Sequence, residues 1–133
     1  HQMQENNPAP NLGLSKIIGS PYEDSVKVDA VRISDVIRNN PDMIKDVTLI
    51  KIDTETVDFE ILLDLVNVIE LFERKPLIEF EINYYCGPNI NSEQAQMIVD
   101  MYVQHGYERA DVADLRSKGG DGMLVPTDLE NQK

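Results

Sequence analysis

The sequence predicts an α/β fold: mostly parallel strands, helices packed on them, and a last strand running in reverse. Three observations predict it. Residues 47–52, VTLIKI, form a short apolar run rich in β-branched residues, which reads as a strand buried on both faces. Apolar positions at helical spacing begin soon after it, and strand and helix patterns then alternate, as in βαβ units. The last two strand-like stretches are joined by a turn-rich connection without a helix, which suits antiparallel neighbours.

The elements follow in chain order. Residues 1–24 carry Pro8, Pro10, Gly13, Gly19 and Pro21 and read as loop or linker. Residues 25–32 alternate, with Val26 and Val28 facing one way and Lys27 and Asp29 the other, which predicts a short edge strand. Ser34 is placed to cap a short helix that runs to Asn40 and stops at Pro41. After the strand at 47–52, a helix is predicted over residues 57–74. Phe59, Leu62, Leu63, Val66 and Ile69 form its main apolar stripe, and Ile61, Leu65, Val68 and Phe72 widen it. A strand over 77–83 follows, with Glu79 and Glu81 alternating with Ile78, Phe80 and Ile82. Ser92 or Asn91 caps a helix over 93–105, whose buried stripe is Ala95, Ile98, Val99 and Tyr102, and Gly106 ends it. Strands over 107–113 and 123–126 close the chain, with a glycine-rich turn at 119–122 between them.

A chain of 133 residues suits one domain with one core. The formal net charge of −12 would repel phosphate backbones, so nucleic acid is not an expected partner. Cys86 is the single cysteine, so no intrachain disulfide can form, and a reducing compartment such as the cytoplasm is expected. No apolar run approaches the roughly 20 residues of a membrane span, so no membrane partner is expected. The chain begins at His1 with a polar stretch, from which a processed chain or a piece of a longer protein is expected. No zinc-ligand spacing, phosphate loop or Ser-His-Asp order is present, and no metal is expected.

Residues 51–62, Lys-Ile-Asp-Thr-Glu-Thr-Val-Asp-Phe-Glu-Ile-Leu, carry a resemblance. The stretch resembles the FkbM-type family of S-adenosylmethionine-dependent methyltransferases, whose run is close to Lys-Ile-Asp-x-Glu-Gly-x-Glu-x-x-x-Leu. Lys51, Ile52, Asp53, Glu55 and Leu62 match, Asp58 replaces the second Glu, and Thr56 stands where the family has Gly. The family also has a proline followed by an apolar strand ending in Glu, and Pro76 with Glu81 fits that pattern. The resemblance covers most of residues 27–126. It implies the C-terminal half of a class I methyltransferase sheet (Rossmann-like) over residues 25–130. By the same resemblance, the residues holding S-adenosylmethionine are expected upstream of His1. The implied reaction is O-methylation of a sugar or other small-molecule acceptor. The alternative is a catalytically degenerate domain used for structure or binding, which Thr56 and the lack of a glycine-rich front half favour. Pairing with the missing N-terminal half, or with a second copy, follows as a possible partnership.

Asp53 and Glu55 are the candidate catalytic residues. They lie beyond the carboxyl end of a strand, where open α/β sheets bind ligands, and a carboxylate can take the proton of an acceptor hydroxyl. The competing role is capping, since carboxylates just before a helix satisfy its free N–H groups. Lys51, Glu81, Tyr84 and Tyr85 are candidates for substrate binding. Lys51 has an alternative role as a salt-bridged structural lysine, and the tyrosines as packing over the next helix.

Overall fold

The computed structural model describes residues 25–55, 57–82, 90–111 and 120–128. The expected linker at 1–24, Thr56, Tyr84, Tyr85 and Cys86 lie outside the described residues. Helix α1 spans Ile33–Asn39, and a 3-10 turn follows at Met43–Asp46. Strand β1 (Leu49–Lys51) leads to helix α2 (Asp58–Leu65), which continues as a 3-10 helix over Val66–Leu71. Strand β2 is Leu77–Glu81, helix α3 is Ser92–Gln104, and strands β3 (Tyr107–Arg109) and β4 (Asp121–Pro126) complete the order.

The four strands form one mixed sheet in the order β1-β2-β4-β3. β1 and β2 are parallel, with Ile50 opposite Ile78, while β4 runs antiparallel to both β2 and β3. The adjacent parallel pair and the reversed last strand are as the sequence predicts. Two of the three pairings are antiparallel, because the reversed β4 lies between β2 and β3, so the sheet is mixed.

Strand alternation sorts the two faces of the sheet. Ile78, Phe80 and Leu124 are buried with Phe59 and Leu62 of α2 and Ala95, Ile98, Val99 and Tyr102 of α3 in one core. Leu77, Glu79 and Glu81 point to the other, half-exposed face. Two buried tyrosines tie the layers together: Tyr102 donates to the Leu62 carbonyl at 2.6 Å and Tyr107 to the Pro76 carbonyl at 2.7 Å. Burial pushes both phenols well above their ordinary range.

Several elements differ from expectation. Residues 25–32 form no strand, and Val26 and Val28 are 82% and 85% exposed, because no described strand lies beside them. Residues 47–52 shorten to the three-residue β1, an edge strand in the described sheet rather than one buried on both faces, with Leu49 49% exposed. Ser34 is not a cap. The cap is Arg32, and Ser34 is buried, with its N–H and its hydroxyl both donating to Asp64 at 2.8 Å. The helix expected over 57–74 tightens after Leu65. Winding near three residues per turn aligns Val66, Ile69 and Phe72, all buried, in one row. Leu63 faces outward, 39% exposed, instead of joining the stripe. β4 starts at Asp121 and so includes Gly122, expected in the turn, because Gly122 pairs with Phe80.

Candidate functional site

The site grows from the place where β1 ends. Backbone pairing between β1 and β2 reaches Ile52, whose N–H donates to the Glu79 carbonyl at 2.8 Å. Beyond it the chain turns away, and the next N–H of β2 on that side, at Glu81, meets no strand among the described residues. The Asp58 carboxylate takes that N–H at 2.9 Å. The same carboxylate accepts from the Thr54 N–H at 2.9 Å and from the Thr54 hydroxyl. The Thr54 hydroxyl oxygen in turn accepts from Val57 N–H at 3.2 Å. Asp58 is 5% exposed, so it is a buried carboxylate held by three donors.

This clamp folds residues 53–55 over the carboxyl end of β2. Asp53, Glu55 and Glu81 each place a carboxylate oxygen within 4.8 Å of the others. Glu55 sits at φ +73°, a left-handed backbone that costs a non-glycine residue of the order of 1 kcal/mol or more. The positive φ thus falls one residue before Thr56. A cleft of about 220 Å³ opens here, lined by Lys51, Asp53, Glu55, Glu79, Glu81 and Asp121, among others. Burial, and then the charges of Glu55, Asp53, Asp58 and Asp121, push the Glu81 carboxyl above its ordinary range.

The structure brings Asp53, Glu55, Glu81 and Lys51 to one cleft. Neither Asp53 nor Glu55 caps α2 among the described residues, because the cap position is Val57 and has no side-chain cap bond. Lys51 is exposed and lies opposite Glu79 in the parallel register, without an ion pair among the described residues. Sequence reasoning missed Asp58 as the organiser of the cleft and missed Asp121 at its rim. The signal for Asp58 was present, because an acid in the first turn of a helix that follows a strand can reach back to free N–H groups. Asp121 enters only because β4 pairs with β2, placing it opposite Glu81.

Chemically, three converging carboxylates accept hydrogen bonds from hydroxyl groups, and the one with a raised affinity for protons can take one. They also offer oxygen ligands of the kind hard divalent cations use. A family model described as "Methyltransferase FkbM domain" matches residues 3–117. No curated protein and no solved structure matches the chain.

Proposed function

This chain belongs to the FkbM methyltransferase domain family. We propose that it forms the acceptor side of an S-adenosylmethionine-dependent methyltransferase that methylates a hydroxyl on a sugar or other small molecule. The observation that carries this reading is the convergence of Asp53, Glu55 and Glu81 at the carboxyl ends of two adjacent parallel strands. That is where an open α/β sheet takes its ligand.

In this reading Glu81 would take the proton of the acceptor hydroxyl that receives the methyl group; S-adenosylmethionine, when bound, would supply that methyl group, with its carbon–sulfur bond broken and S-adenosylhomocysteine as the leaving group. The raised proton affinity of Glu81 suits it to taking that proton, since a base works best near the operating pH. Asp53 and Glu55 accept hydrogen bonds from neighbouring hydroxyls of the acceptor and fix its orientation, as vicinal hydroxyls of a sugar would allow. Lys51 stands at the rim, where its ammonium can meet an acceptor oxygen. The donor S-adenosylmethionine is assigned from family membership. Among the described residues no glycine-rich strand-to-helix turn is present to hold it, so no residue here is assigned to the cofactor.

The test is methyl transfer from labelled S-adenosylmethionine to a panel of simple glycosides by the full protein and its Asp53 variants. Asp53→Asn keeps the shape and removes the charge, and should lower turnover by about 10², the loss expected when an acceptor is no longer held in position. Full activity in Asp53→Asn would remove Asp53 from the site. No transfer by the unmodified protein to any hydroxyl acceptor would favour a structural or binding role for the domain.

A further inference from the structure

The proposed chemistry does not use the buried Asp58. It sits 23 residues from Glu81 and four from Thr54, yet one carboxylate joins both. Oδ1 accepts from the Thr54 N–H and hydroxyl, and Oδ2 accepts from the Glu81 N–H. No described strand residue supplies the bond to the Glu81 N–H, since the β1–β2 ladder stops at the Ile52–Glu79 bond.

We propose that Asp58 is a positioning residue: it clamps the loop carrying Asp53 and Glu55 against the end of β2, and so sets the spacing of the three carboxylates. The proposal rests on the reading of that cluster as the acceptor site. Three like charges within 4.8 Å repel one another, and residue 55 holds an unfavourable backbone conformation. A loop in that state opens unless something holds it. Two hydrogen bonds from Thr54 to a buried carboxylate are strong restraints because the acceptor is charged and shielded from water. The remaining bond, to Glu81, fixes the other side of the gap. Asp58 lies under the backbone of both segments and leaves their carboxylates turned to the cleft.

The experiment uses Asp58→Asn, Asp58→Glu and Thr54→Val in the full protein, with folding checked by near-ultraviolet circular dichroism. Carbon-detected NMR follows the titration of the Glu81 carboxyl, and amide exchange follows Thr54 and Glu81. In Asp58→Asn the amides of Thr54 and Glu81 should lose protection together, and methyl transfer should fall about 10²-fold, as expected for groups misplaced by about 1 Å. Thr54→Val removes no charge, so a fall in the Glu81 midpoint there reports a change of geometry alone. Asp58→Glu keeps the carboxylate and should restore much of the amide protection and the transfer. A purely structural role predicts lost stability with the Glu81 midpoint of Thr54→Val unmoved, and that result overturns the proposal. If Asp58→Asn fails to fold, Asp58→Glu and Thr54→Val decide the matter by the same readouts. Loss of the clamp with unchanged methyl transfer would instead overturn the acceptor-site reading, and with it the functional half of this proposal.

Discussion

Gly122→Ala should destabilise the protein and disturb the cleft from behind. Gly122 faces Phe80 across the antiparallel β2–β4 pair. A Cβ at Gly122 would lie 2.2, 2.4 and 2.7 Å from three atoms of the Phe80 ring. Carbon atoms pack at about 3.5–4.0 Å, so the ring would have to retreat by roughly 1 Å. It has little room to do so. Phe80 is 1% exposed and packs edge-on against Phe59, with ring centroids 5.4 Å apart. Overpacking of this kind costs about 1–3 kcal/mol, and the tightness of the contact argues for the upper part of that range. Urea denaturation reads the loss as a lower midpoint with an unchanged slope. In a Phe80→Leu background the added methyl should cost much less, giving a coupling energy of about 1 kcal/mol or more. A loss below about 0.5 kcal/mol, or no coupling to Phe80, would refute the packing argument.

Three further outcomes follow from the same geometry. Glu81 has a raised proton affinity in the fold, so its contribution to stability is greatest at low pH and is lost as pH rises through the folded value. Glu81→Gln should therefore raise the thermal midpoint at neutral pH, by an equivalent of less than about 1 kcal/mol for a partly solvated group, and the gain should vanish near pH 4.5. Glu55→Gly should stabilise by about 1 kcal/mol by relieving the positive φ while Glu55→Ala should not, and equal denaturation midpoints for the two would contradict this. Glu70 is held below its ordinary value chiefly by a hydrogen bond with His105 at 2.7 Å, so its contribution is present above pH 4.5 and lost below it. His105→Ala should cost less than about 1 kcal/mol at neutral pH, because the pair is exposed, and should flatten the acid limb of the stability profile.

Local signals in the sequence were sound where one segment decides its own structure. Asn91 caps α3 through a full capping box with Gln94, and Gly106 follows the helix at φ +89°. The stripe of Ala95, Ile98, Val99 and Tyr102 is buried as its spacing predicts. The parallel pairing of β1 with β2 was also legible, because a helix-length connection joins two apolar runs. Position within the sheet was not. An apolar run says that a strand forms, but not whether it has neighbours on both sides, and Leu49 and Lys51 stand exposed. Residues 25–32 alternate like a strand but pair with no described strand, and alternation alone forms no ladder. Ser34 looks like a cap by position, yet Asp64, 30 residues away, is what it bonds. The cleft was legible in part. Asp53 and Glu55 stand out by their place after a strand, whereas the pairing of Asp58 with Glu81 depends on tertiary contact across 23 residues.

The central claim is that the three carboxylates receive the acceptor and Glu81 takes its proton. Its most direct test is the pH dependence of methyl transfer from labelled S-adenosylmethionine to simple glycosides, compared between the full protein and Glu81→Gln. The account predicts a rate that rises with pH as Glu81 ionises, and a loss of about 10²-fold or more in Glu81→Gln together with that pH dependence. A Glu81→Gln protein that transfers methyl groups within about twofold of the original rate, with the same pH profile, would contradict it.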